Sequence, residues 1–223
     1  MTLSASAAQA LRSLALVALL IAWAAAAHFG SAGAGSPDFN AALGVSPIVA
    51  ILGLLVWRLL TPLTRLLGAL AVCGLLAWLW PALRQNVALL YLIQHVGSNL
   101  ALGVFFGRTL LGDGEPLITR IARVAMERPL SERKQRYTRQ VTAAWTAFFF
   151  AVATTSLLLY LLAPLAVWSV FANLLTLPLL AAMFIGEHLW RMRVLPPEER
   201  PSIAQAIRAY RHATQQNSSA KAP

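Results

Sequence analysis

The feature that most constrains this chain recurs along it: charge-free, mostly apolar stretches of near membrane-spanning length, separated by short segments that carry nearly all the charge. A helix crosses the ~30 Å hydrocarbon core with roughly 17–25 such residues. Six stretches of this kind are expected to span, at about residues 13–29, 43–57, 66–80, 86–107, 140–163 and 165–190. Composition agrees. Of the 223 residues 58% are apolar and 12% charged, with mean hydropathy +0.65, whereas a soluble domain is about 45–50% apolar and about 25% charged. Too little polar surface remains to cover a water-soluble globule. The expected fold is therefore all-α: a polytopic membrane helix bundle over residues 1–195, then a cytoplasmic tail, 196–223, that is partly disordered. A net charge of +10 would in a soluble chain point to nucleic acid; here that class is excluded.

The first stretch has a second reading. Arg12, the apolar run and the small residues Ala24 to Ala27 also fit a secretory signal peptide. A retained helix is the expectation, and residues 30–42 lie outside in either case.

Orientation follows from the basic residues, which gather on the cytoplasmic side of membranes. Arg12, Arg58 and Arg65, the arginine-rich loop 108–139 and the tail fall on one side, and Arg84 alone among the 18 basic residues falls on the other. With six spans, both termini are therefore expected to be cytoplasmic. Trp57, Trp145 and Trp190 fall near cytoplasmic ends and Trp23, Trp78, Trp80 and Trp168 near outer ends, so headgroup-level anchoring is expected of all of them.

Within the loop 108–139, residues 116–128 have helical periodicity. Leu117, Ile118, Ile121, Val124 and Ala125 share one face, and Thr119, Arg120, Arg123 and Glu127 the other. An interfacial amphipathic helix in the cytoplasmic loop is expected, apolar side toward the bilayer. Pro129 ends it, and Ser131 caps a helix that runs on into the fifth span. Arg120, Arg123, Arg136 and Arg139 are the candidate contacts to anionic headgroups or an acidic partner. Retention of positive charge inside is the simpler account of the same residues.

Polar side chains inside hydrocarbon are costly and usually face other helices. The fourth stretch holds Gln94, His95, Ser98 and Asn99; the fifth Thr154, Thr155 and Ser156; the sixth Asn173 and Thr176; the third Cys73. Counted from the outer ends, His95, Thr155, Asn173 and Cys73 lie at similar depth, roughly 10–14 Å at the helical rise. The candidate intramembrane cluster is His95, Ser98, Asn99, Thr155 and Asn173. Interhelical hydrogen bonding accounts for it, as does a proton or substrate site built on the histidine. Glu187 and His188, at the cytoplasmic end of the sixth stretch, are expected to be solvated.

The usual signatures of chemistry do not appear. Cys73 is the only cysteine, the four histidines are scattered in depth, and no nucleophile elbow or phosphate loop is present. No catalytic residue, metal site or cofactor is expected.

Residues 91–111 (YLIQHVGSNLALGVFFGRTLL), with PLITR at 116–120 and YTRQVTAAW at 137–145, resemble a family of bacterial inner-membrane proteins from gene clusters for aryl polyene and xanthomonadin-type lipids. Residues 168–173 and 187–191 fit the same pattern, so the likeness covers roughly residues 50–195. Some members are labelled ketosynthase, yet this chain has neither the large soluble fold nor the nucleophilic cysteine of a condensing enzyme. The resemblance implies a place beside acyl-carrier-dependent lipid assembly enzymes. The expected function is a non-enzymatic accessory for assembly or export of a polyene-type lipid; the alternatives are an integral-membrane enzyme acting on a lipid-linked intermediate, or a small transporter.

Overall fold

The computed structural model describes residues 5–59, 61–112, 114–126 and 129–200. About 89% of the described residues are helical and none is in a strand, so the protein is all-α. Among the described residues six helices are long and apolar enough to cross a membrane, which makes it a multi-pass membrane protein. The expected disorder of the tail from residue 201 onward and the expected place of Glu127 on the 116–128 helix lie outside the described residues.

The elements are α1 (Ala5–Ser31), α2 (Pro37–Leu59), α3 (Pro62–Gln85), α4 (Val87–Gly107), α5 (Leu117–Met126), α6 (Glu132–Leu162), α7 (Leu165–Ser169) and α8 (Thr176–Val194). A π-helical turn, Val170–Leu175, joins α7 to α8. Most helices outrun their apolar stretches, because a helix once nucleated extends through polar flanks as well. For α6 the start is fixed by Ser131, whose Oγ accepts the Lys134 amide at 3.1 Å.

Helix α2 contains Pro47, which removes the donor to the Leu43 carbonyl. The Ser46 hydroxyl takes that donor's place, 2.7 Å from Leu43 O, so the residue beside the proline repairs the helix within hydrocarbon, where an orphaned carbonyl is costly.

The chain packs as two compact units. The first comprises residues up to Gly97 and Thr155–Leu177. In it α2 and α3 form an antiparallel hairpin tied at both ends. At one end the Arg65 guanidinium lies 4.8 Å from the centre of the Trp57 ring. At the other, Asp38 accepts from Trp80 Nε1 at 2.8 Å and pairs with Arg84 at 3.7 Å. Helix α4 joins α2 where Gly44 meets Leu90 and Tyr91 so closely that a Cβ would come within 2.9 Å of Leu90, and Gln94 donates to the Gly44 carbonyl at 3.1 Å. The buried centre of this unit is Ala27, Tyr91, Leu92 and Trp168. Helix α3 buries no residue, and Cys73 on it is exposed.

The second unit comprises Ser98–Thr154 and the chain from Pro178 onward. Its core is a stripe along α6, Tyr137, Val141, Trp145 and Phe149, closed by Leu195. The four α6 residues recur at four-residue spacing, so they stack along one helix face. Beside them the threonines of α6 hold α5: Thr142 Oγ1 accepts the Ile118 amide at 3.3 Å, and Thr138 and Thr119 share a hydroxyl bond of 2.7 Å.

Two expectations are corrected. Trp145 and Trp168 are buried at 5% and 0% exposure, so they are core residues and not headgroup anchors; their bodies are apolar enough to pack, and Trp168 finds a partner for its N–H. Thr119, expected on the polar outer face of α5, is the buried residue of that helix, while Ile121 and Val124 are exposed. The protein holds α5 by Thr119 together with Ile118, which packs against the core, and leaves Ile121 and Val124 outward.

Candidate functional site

The polar side chains of the first unit form two hydrogen-bonded chains around the π turn. His95 on α4 has both ring nitrogens engaged: Nδ1 is 2.9 Å from Ser156 Oγ on α6, and Nε2 is 2.9 Å from Thr176 Oγ1. Ser156, fully buried, also receives Trp168 Nε1 at 3.0 Å. Thr176 donates to the Phe171 carbonyl at 2.9 Å, and its own amide bonds the same oxygen.

Counting hydrogens fixes the directions. Thr176 has one hydroxyl proton and spends it on Phe171 O, so His95 Nε2 must carry the proton of the bond between them. In the neutral ring Nδ1 is then an acceptor, and Ser156, already receiving from Trp168, donates to it. The result runs one way, from the Trp168 indole through Ser156, His95 and Thr176 to a backbone carbonyl. The Phe171 ring stands edge-on to His95, with centroids 6.0 Å apart.

The second chain joins α1 to α7 and the π turn. Ser169 Oγ lies 2.5 Å from His28 Nδ1 and also donates to Ala166 O at 3.2 Å. Asn173 Nδ2 donates to Ser31 Oγ at 3.0 Å and to Ser169 O at 3.2 Å. A π turn holds one residue more than an α turn, which rotates the face presented by the succeeding residues by about 100°. That rotation lets Asn173 serve α1 while Thr176 serves α4.

Of the expected cluster, His95 and Asn173 sit in these chains, each with its own partners. Thr155 is exposed and its neighbour Ser156 takes the place beside His95, because Ser156 continues the buried face of α6 through Phe149, Val152 and Ala153. Asn99 is buried and Ser98 exposed. Trp168, Ser169, Ser31 and His28 were not singled out from the sequence as partners. The signal that finds Ser156 is the burial period of its helix; nothing in the sequence announces the π turn.

The basic candidates lie in the second unit. Arg123 pairs with Glu115, Arg136 lies 3.9 Å from Glu132, Arg139 donates to Leu110 O at 3.2 Å, and Arg120 is exposed. Lys134, in contrast, is buried and donates to Glu199 O at 2.6 Å. Glu187, expected in solvent, is 15% exposed and accepts from Tyr137 Oη at 2.5 Å and Arg191 Nη2 at 2.8 Å; His188 is exposed. Among the described residues no three His, Cys, Asp or Glu side chains converge as a metal site would require.

No protein-family model, curated protein or solved structure matches this chain.

Proposed function

We propose that this multi-pass protein is a non-enzymatic accessory of the bacterial inner membrane, with both termini and the loop 108–139 in the cytoplasm, serving the assembly or export of a polyene-type lipid. The observation that carries the non-enzymatic reading is the saturation of His95. A general base needs a free lone pair within reach of its substrate, and both nitrogens here hold neighbouring helices. The histidine is a bolt between α4, α6 and the first residue of α8. Docking falls to the other unit, where Arg120 and Arg123 lie on α5 and Arg136 and Arg139 near the start of α6. These groups suit anionic headgroups or an acidic carrier protein of the acyl-carrier-dependent assembly enzymes.

The test is genetic and chemical. In a strain carrying the chain with His95→Ala and Asn99→Ala, and with the protein at its normal level, product should still form at close to the normal rate. An acid–base role would instead cost about 10²–10⁴-fold. Charge reversal at Arg120, Arg123 and Arg136 should reduce co-isolation of the assembly enzymes. Accumulation of a finished lipid at the inner membrane in a deletion strain points to export, a missing chemical step to catalysis.

A further inference from the structure

Along one side of the second unit α6 and α8 part to leave an open groove of about 390 Å³, within the range of roughly 300–1,000 Å³ typical of ligand sites. Small residues make it: Ala144 on α6, and Ala182 and Gly186 on α8, where a Cβ built on Gly186 would meet nothing within 4 Å. Ala182, Gly186 and Trp190 recur every four residues, so the groove follows one face of α8. Its walls belong to helices long and apolar enough to cross a membrane, so what lies beside the groove is lipid.

The polar end decides which lipid. Gln140, Glu187 and Trp190 line it, and no described arginine or lysine does. The charge of Glu187 is cancelled by Arg191, whose Nη2 lies 2.8 Å from Oε2, while Oε1 accepts from Tyr137 Oη at 2.5 Å. A carboxylate has about four acceptor sites, so Glu187 still offers lone pairs where it lines the groove. Gln140 and Trp190 are exposed; the amide brings an acceptor and donors, the indole one donor. This set sorts headgroups by their chemistry. A phosphate only accepts and is negative, so it would set its oxygens against those of Glu187. An ammonium would bring a second cation to a carboxylate that Arg191 already neutralises. A hydroxyl donates, accepts and carries no charge. We propose that the groove binds diacylglycerol, a neutral lipid with one free hydroxyl: an acyl chain lies along Ala144, Ala182 and Gly186, and the hydroxyl donates to Glu187 and accepts from Gln140. The site stands whichever lipid pathway the protein serves.

Photolabelling of the full chain in phosphatidylcholine nanodiscs tests this, with a diacylglycerol that carries a diazirine in one acyl chain as the probe. Label falls on residues 140–144 and 182–190 and is displaced by unlabelled dioleoylglycerol. The 3-O-methyl ether of dioleoylglycerol keeps the chains and loses the donor; it and dioleoyl phosphatidylglycerol each need roughly tenfold more to compete, the worth of a hydrogen bond to a charged acceptor. Gln140→Leu weakens displacement by dioleoylglycerol about fivefold, as one neutral hydrogen bond would. Ala144→Leu with Gly186→Leu fills the groove and cuts labelling there by roughly tenfold, as losing about two methylenes of chain contact would; Gly53→Leu, on an open face of α2, leaves it unchanged. The competition is read on the unaltered chain, so a misfolded variant does not decide it. Equal competition by the ether or by phosphatidylglycerol, equal labelling of the exposed helix α3, labelling that survives filling the groove, or a dimer that dissociates on the same substitutions each overturns the proposal.

Discussion

Two ring systems depend on one hydroxyl, that of Ser156, which accepts from Trp168 and donates to His95. Ser156→Ala leaves an indole N–H and an imidazole nitrogen without partners in a buried site, and should destabilise the fold by about 1–3 kcal/mol. Thr155→Ala, one residue away and exposed, should change stability by less than about 0.5 kcal/mol. Thermal unfolding in detergent micelles compares the two, and equal losses would show that Ser156 is not the bridge. The pair also measures what could be read at this scale. Residue types and depths pointed to polar groups in the fifth stretch, but which of adjacent hydroxyls faces inward depends on the helix rotation, which the neighbouring helices set. The same holds for the tryptophans: depth alone made all of them look like anchors, and only the packing of Tyr160 and Ala27 about Trp168 marks it as core.

At the scale of elements, polar side chains repeatedly complete what a helix cannot. Ser46 serves the carbonyl orphaned by Pro47. At α5, a ten-residue helix too short to be stable alone in water, Thr109 Oγ1 accepts the Leu117 amide at 2.9 Å and Thr142 the Ile118 amide at 3.3 Å. Thr142→Val keeps the shape and removes that acceptor, at a cost of about 0.5–1.5 kcal/mol. Amide exchange should therefore rise over residues 117–126 and stay slow in the middle of α6. Uniform acceleration across both would instead mean that Thr142 holds the whole unit. The existence of α5 was legible from its periodicity; its rotation was not. The apolar edge suits a bilayer, so no protein surface is required to cover Ile121 and Val124, and a threonine pair decides which edge docks.

At the scale of the whole molecule, the distribution of charge makes a prediction about sides. With Cys73→Ala as background, a cysteine at Ser36 should react with a membrane-impermeant maleimide added to intact spheroplasts. One at Arg108 should react only after the membrane is opened. The reverse pattern would invert the orientation given under the proposed function. In that orientation Arg84, the one basic residue expected on the outer side, is paired with Asp38. An exposed pair of this kind adds little stability, so its value lies in cancelling charge.

The sequence by itself determined the all-α class and the number of long apolar helices, because hydrocarbon leaves a backbone no way to satisfy its N–H and C=O groups except within each helix. That rule acts on every residue locally and so is written in composition and run length. The tertiary structure alone decided which faces meet, the pairing of His95 with Ser156 and Thr176, and the π turn that directs Asn173 and Thr176 to different helices. Contacts between helices in a membrane rest on close packing and on hydrogen bonds of defined direction, and these depend on rotations of a few tens of degrees that no run length encodes.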